Sequence, residues 1–237
     1  MQLAKLGIDA IISYEIGAEF VGDTRYYNSR LTKPTYPGGN SGVTIGIGYD
    51  LGYNTIAQIR KDWEGKVNGN LLAFFISCSG LKGKDAARKI KQETSIFKIP
   101  YEVAYNVFIN STLPRFCKEA KETFPSIEKL NPLAQAVIVS VVFNRGNGLV
   151  DTSTNAQKEG RRKEMRNLLK AIDKVDYNSI AKEIEAMKRL WDGVPDFDGD
   201  VEVKMQGLID RRIAEAKLII QSTNMQFTNE DIVAIAV

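Results

Sequence analysis

The chain has 237 residues, 43% of them hydrophobic and 26% charged, with 19 Gly and 7 Pro, a balance that fits an ordinary folded protein and excludes low-complexity and fibrous classes. Lys and Arg number 32 against 29 Asp and Glu, and the net charge of +3 is too even to make nucleic acid or a membrane surface the default partner. His is absent, which removes the Ser-His-Asp triad, the Cys-His dyad, the HExxH zinc site and the His-carboxylate iron site, and leaves acid-base work to carboxylates, Lys, Tyr or Cys.

A chain of this length sits near the upper end of what one core can organise, so it reads as one domain or as two lobes sharing a helix. Residues 3 to 14 place Leu3, Leu6, Ala10 and Tyr14 on one face with Ile11 beside them, predicting a short amphipathic helix that delivers Glu15 at its C-terminal end. From about Gly22 to Gly52 the text turns rich in Gly, Pro, Tyr, Thr and Asn, with turn signals at Lys33-Pro34 and at Pro37 to Asn40. The run Val43 to Tyr49 is β-like, so this stretch predicts a small twisted hairpin sheet.

Helical signals dominate from Asn54 onward. Asn54 or Thr55 can cap a helix through Trp63, and further helices are predicted over Leu71 to Ser77 and Lys84 to Glu93. Pro100 suits the first position of a long helix that keeps its spacing to Phe124, with Pro114 inside it removing a backbone hydrogen bond and bending it near Asn110 to Pro114. Pro132 to Phe143 is apolar nearly all round, which predicts a buried core helix, and Lys163 to Ile172, Ser179 to Leu190 and Leu208 to Ile220 follow as helices. The fold class is therefore α+β, mostly helical, with a small sheet near the N-terminus.

Without His, the search for chemistry narrows to a carboxylate on a rigid element beside the Gly-rich hairpin. Glu15 fits, flanked by the apolar Tyr14, Ile16 and Phe20, since an apolar setting lets a carboxyl keep a proton for general-acid work. A plain surface Glu at a helix end is the competing reading, and Glu19 is the competing carboxylate. In Gly42-Val43-Thr44-Ile45-Gly46-Ile47-Gly48-Tyr49 the alternating glycines allow close approach of a backbone or a sugar chain. A phosphate loop is rejected there, because no Gly-Lys-Ser/Thr follows and no parallel βαβ unit surrounds it.

A short helix ending in Glu, then Thr44-Ile45-Gly46-Ile47-Gly48 in a polar hairpin, then a helical part with Val142-Phe143-Asn144-Arg145-Gly146, Trp191 and Gly207 to Arg212 resembles the bacteriophage lysozyme family, glycoside hydrolase family 24, including pesticin-type muramidase domains. The likeness runs in order over about residues 3 to 220. It implies a single lysozyme-like domain over 1–237: an N-terminal lobe of about 14–99, a connecting helix of about 100–124, a helical C-terminal lobe of about 125–220 with helix 3–13 packed on it, and a tail, 221–237. It implies a muramidase of bacterial peptidoglycan that needs no cofactor or metal, works as a monomer without nucleic-acid or membrane partners, and is made in the host cytoplasm before acting on the wall.

By the same resemblance Glu15 is the catalytic acid and Thr44 the residue that holds the attacking water. Tyr49, Asn144 and Trp191 line the substrate cleft, and Arg211 or Arg212 supports the catalytic Glu. Six positions before Thr44, where the resembled pattern has an Asp, stands Gly38. Two carboxylates can fill that gap. Asp50 shares a strand face with Thr44 if the alternation 44, 46, 48, 50 holds, and Asp23 follows Glu15 by eight positions. With neither in place, a lytic transglycosylase using one Glu is the better mechanism, and a non-catalytic glycan-binding or phage structural module is the reading from another class.

The remaining signals are weak. Asp196 to Asp200 imitates the start of a calcium loop, but Val201 and Gly207 stand where its Gly and Glu belong. Asn110-Ser111-Thr112 matches a glycosylation sequon, and Lys158 to Arg166 is a basic run that reads as a solvated helix start. Cys78 and Cys117 lie 39 positions apart and read as reduced, part-buried thiols. The opening segment is interrupted by Asp9 and does not read as a signal peptide.

Overall fold

The computed structural model describes residues 1–18, 22–91, 97–151, 160–195, 202–203 and 205–237. Glu19, Phe20 and the Asp196 to Asp200 segment lie outside the described residues. The fold is α+β and mostly helical, and the chain divides into two compact units, residues 12–113 and residues 1–11 with 114–237. No helix among the described residues is long and apolar enough to cross a membrane.

Helix α1 (Lys5–Ile16) feeds residues 12–113. After it a π-helical turn covers Tyr27–Leu31, and a hairpin joins β2 (Thr44–Ile45) to β3 (Tyr49–Asp50), numbered after β1 (Gln2–Ala4). The run 43–49 is thus the hairpin itself and not one strand: Gly46 and Gly48 take φ of 57° and 61°, the left-handed region that glycine enters without steric cost, and they reverse the chain. Thr35 adds a bridge by exchanging backbone hydrogen bonds with Thr44.

Helices α2 (Ile56–Trp63), α3 (Gly69–Ser77) and α4 (Lys84–Ile90) follow. The first two start where Thr55 and Asn68 accept hydrogen bonds from Gln58 N–H and Leu71 N–H, satisfying donors that the helix cannot. Trp63 anchors the core of this unit, edge-on to Tyr49 at 5.5 Å and to Phe75 at 5.2 Å between ring centroids. Residues 101 to 123 are helical throughout, as α5 (Tyr101–Val107), a π-helical stretch over Phe108–Thr112 and α6 (Leu113–Thr123). The irregularity precedes Pro114, which has no N–H to give to Asn110; the chain answers with Leu113 N–H reaching five residues back to Phe108 O. The division between the units falls at Leu113/Pro114, inside the segment read as a connecting helix.

The other unit is built on α7 (Pro132–Arg145), buried continuously from Leu133 to Val142. Asn131 caps it by accepting from Ala134 N–H at 2.9 Å and ties it to the end of α10 (Gln206–Ser222) through Ser222. Helices α8 (Lys163–Asp173) and α9 (Tyr177–Ala186) pack together, and α10 packs on both α9 and α7. Strands β4 (Val194–Pro195) and β5 (Glu202–Val203) pair as a second small ladder. A third corrects the reading of 221–237 as a tail. Residues 232–234 form β6, antiparallel to β1 in the register Leu3↔Val233. A three-residue strand is too short to show alternation, and its partner lies at the far end of the chain.

Candidate active site

Glu15 sits in the last turn of α1, half-buried, while its neighbours Ile12 and Ile16 are 5% and 1% exposed and hold the helix to the core. It lines a cleft of about 630 Å³ formed wholly within residues 12–113. The hairpin supplies Thr44, Gly46 and Gly48 to that cleft, and the bridging segment supplies Thr35. Tyr26, Arg30 and Leu31 of the π-helical turn complete the part that matters chemically. Glu15 is the one carboxylate among the described lining residues. The Thr44 hydroxyl makes no hydrogen bond with a described residue, whereas Thr35 Oγ1 donates to Thr44 O at 3.3 Å.

Asp50 has another task. The register does pair it with Thr44, and directly opposed residues share a face, but its carboxylate is turned along the chain. Gly42 N–H donates to Oδ2 at 2.9 Å and Gly52 N–H to Oδ1 at 2.8 Å, so Asp50 caps the short 3₁₀ turn Leu51–Tyr53. The backbones meet so closely that a Cβ on Gly42 would lie 2.5 Å from Gly52 N. Burial pushes the carboxyl above the usual carboxylate range, and the Gly42 and Gly52 amides with Lys82 oppose that rise. Asp50 does not line the cleft. An amide at this position offers one acceptor to two N–H groups, so Asp50→Asn should cost about 1–3 kcal/mol of stability, read as a lower denaturant midpoint.

Asp23 does not fill the place either. It is 6% exposed, and Arg25 holds it in a two-pronged pair, Nε to Oδ1 at 2.9 Å and Nη2 to Oδ2 at 3.0 Å. Tyr49, expected at the substrate, is a core residue: it is 2% exposed and donates its hydroxyl to Asp62 Oδ2 at 2.8 Å.

The other expected site residues belong to the second unit and take roles inside it. Asn144 ends α7 half-buried, its Oδ1 without a described partner. Trp191 is almost buried, and the guanidiniums of Arg145 and Arg212 stand over its ring at 5.5 and 5.7 Å, a cation-π arrangement that makes it packing. Burial, then Arg162, Arg161 and Arg212, bring the Arg145 pKa down to about 9. Arg211 and Arg212 are spent on a buried carboxylate of their own helix. Arg211 Nε donates to Glu215 Oε1 at 3.1 Å and Arg212 Nη2 to the same oxygen at 2.9 Å, while Ser140 Oγ donates to it at 2.5 Å.

A family model described as a domain of unknown function, DUF8812, matches residues 12–196. The chain belongs to the DUF8812 family. No curated protein matches its sequence. The DUF8812 match begins at the first residue of the unit that holds the cleft, takes in every lining residue, and ends before α10 with its Arg211, Arg212 and Glu215.

Two features of this DUF8812 chain escaped sequence reasoning. Tyr26 and Arg30 lie in the stretch read as a small hairpin sheet, where the structure has a π-helical turn over Tyr27–Leu31, and only their spacing of four hinted at a helical turn. Glu215 stands four after Arg211 and three after Arg212, and that spacing alone was signal enough to pair them. Neither thiol offers a nucleophile. Cys78 and Cys117 are free but fully buried, and burial pushes their pKa values up to about 11 and about 12. No group of His, Cys, Asp or Glu among the described residues could hold a metal ion.

Proposed function

We propose that the protein is a peptidoglycan muramidase that cleaves the β-1,4 bond between N-acetylmuramic acid and N-acetylglucosamine. One observation carries the reading: Glu15 and Thr44, the acid and the water-holding hydroxyl of the resembled lysozyme pattern, line the same cleft. Glu15 would give its proton to the bridging oxygen as the bond to the anomeric carbon breaks, and the uncommitted Thr44 hydroxyl would hold a water for attack on the opposite face. The glycines of the hairpin keep that wall low, which suits a sugar chain lying against backbone.

A second reading of the same cut rests on a specific observation, the lone carboxylate among the described lining residues. With no second carboxylate among those residues to take a proton from water, Glu15 can finish the reaction by accepting the proton of the substrate's own C6 hydroxyl, whose oxygen closes on the anomeric carbon as a 1,6-anhydro ring. Incubation with purified cell wall and analysis of the released ends separates the routes. Hydrolysis yields reducing muramic acid ends, and the one-carboxylate route yields 1,6-anhydro ends. A protein that pellets with the wall and releases neither is a binding module, which would overturn both.

A further inference from the structure

Tyr26, Arg30 and Leu31 line the proposed substrate cleft from one π-helical turn, whose closing bond runs from Thr32 N–H to Tyr27 O at 3.1 Å. A turn that closes on the fifth residue brings positions four and five apart nearly into register, so these side chains form one stripe. The Tyr26 ring is fixed beside the catalytic helix, since a Cβ on Gly17 would lie 3.3 Å from its Cδ1, yet the residue remains 49% exposed. It is an aromatic platform packed against Gly17, two positions beyond Glu15 along the chain.

Arg30 is the one cation among the described lining residues. It is exposed and makes neither ion pair nor hydrogen bond with a described residue. A neutral sugar is served by hydroxyl and amide partners and by an aromatic face. A guanidinium adds something distinct only for a planar anion, which it can grip with two parallel N–H bonds.

We propose that the Tyr26–Arg30 stripe is a subsite for an acidic sugar, with the ring stacked on Tyr26 and its carboxylate paired with Arg30, so that the cleft prefers acidic glycan to neutral chains. This rests on the muramidase reading, and it names the recognised group as a carboxylate carried by the muramyl unit. That carboxylate has two sources, the free lactyl acid of a peptide-stripped strand or the acids of an attached stem peptide.

Binding to the full-length Glu15→Gln protein, which cannot turn substrate over, provides the test. The probes are peptide-stripped muramyl glycan, the same glycan with its peptides, and a neutral N-acetylglucosamine oligomer. At low salt one acidic probe should bind about tenfold more tightly than the neutral chain, in line with one well-formed charged pair. Arg30→Gln should remove that advantage, Arg30→Lys should keep part of it, and neither should shift the melting temperature. A preference confined to the stripped strand assigns the lactyl acid, and one confined to the peptide-bearing strand assigns the stem. Equal binding of acidic and neutral chains, or a preference that survives Arg30→Gln, overturns the subsite. Wall cleavage by the unaltered protein is scored separately. Cleavage without acidic preference sinks the subsite alone, and acidic preference without cleavage sinks the muramidase reading alone.

Discussion

Glu15→Gln should lower release of soluble fragments from purified cell wall by at least about two orders of magnitude, the usual contribution of a positioned general acid. Gln has nearly the same shape and can still accept a hydrogen bond, but it has no proton to give to a leaving oxygen. The loss should appear in kcat with KM little changed, because the amide still occupies the cleft wall. Folding should survive, since Glu15 is half-buried on the last turn of α1 while Ile12 and Ile16 supply the anchoring. Both routes of cleavage require this proton, so the result does not depend on which product forms. Lysis within a few-fold of wild type by a folded Glu15→Gln protein would remove Glu15 from the chemistry.

The parts of the molecule that local rules govern were legible in the sequence. The all-apolar α7 is buried along its length, and Thr55 caps α2, because each depends on residues within a few positions. Glu15 and Thr44 reach one cleft because each lies at the end of a recognisable element. What escaped depends on partners far along the chain or on exceptions to regular geometry. Tyr49 was read as a cleft residue, but its hydroxyl finds Asp62 in α2, and no pattern within the hairpin announces that pair. Asp50 does lie opposite Thr44, but its carboxylate is taken by the backbone amides of Gly42 and Gly52, a close approach of two turns that strand alternation does not announce. The π-helical turn carrying Tyr26 and Arg30 has no propensity signature, and its role follows only from where it lands.

Glu215→Ala should be the most damaging single change to stability, about 3–5 kcal/mol, the cost of stranding buried charge. Glu215 is 0% exposed, as is Arg212, and Arg211 is 5% exposed. Two guanidiniums therefore share one carboxylate, assisted by Ser140 Oγ, which also accepts from Arg211 Nη2 at 3.0 Å. Removing the carboxylate leaves two positive charges in a dry interior beside Arg145, which Arg212 already helps to push down in pKa. The penalty thus exceeds that of a lost hydrogen bond. Restoring apolar volume while removing a cation, as in Glu215→Leu with Arg212→Met, should recover part of the loss, since a buried ion pair is often replaceable by packing although half of one is not. Because the chain has two units and unfolding need not be a single step, the measurement should follow Trp191 fluorescence in a Trp63→Phe background during urea titration. Trp191 lies under the Arg212 guanidinium and reports on this cluster directly. A Glu215→Ala midpoint within about 1 kcal/mol of the background protein, the range of an ordinary point substitution, would show that the cluster is solvated and that its charges never needed one another.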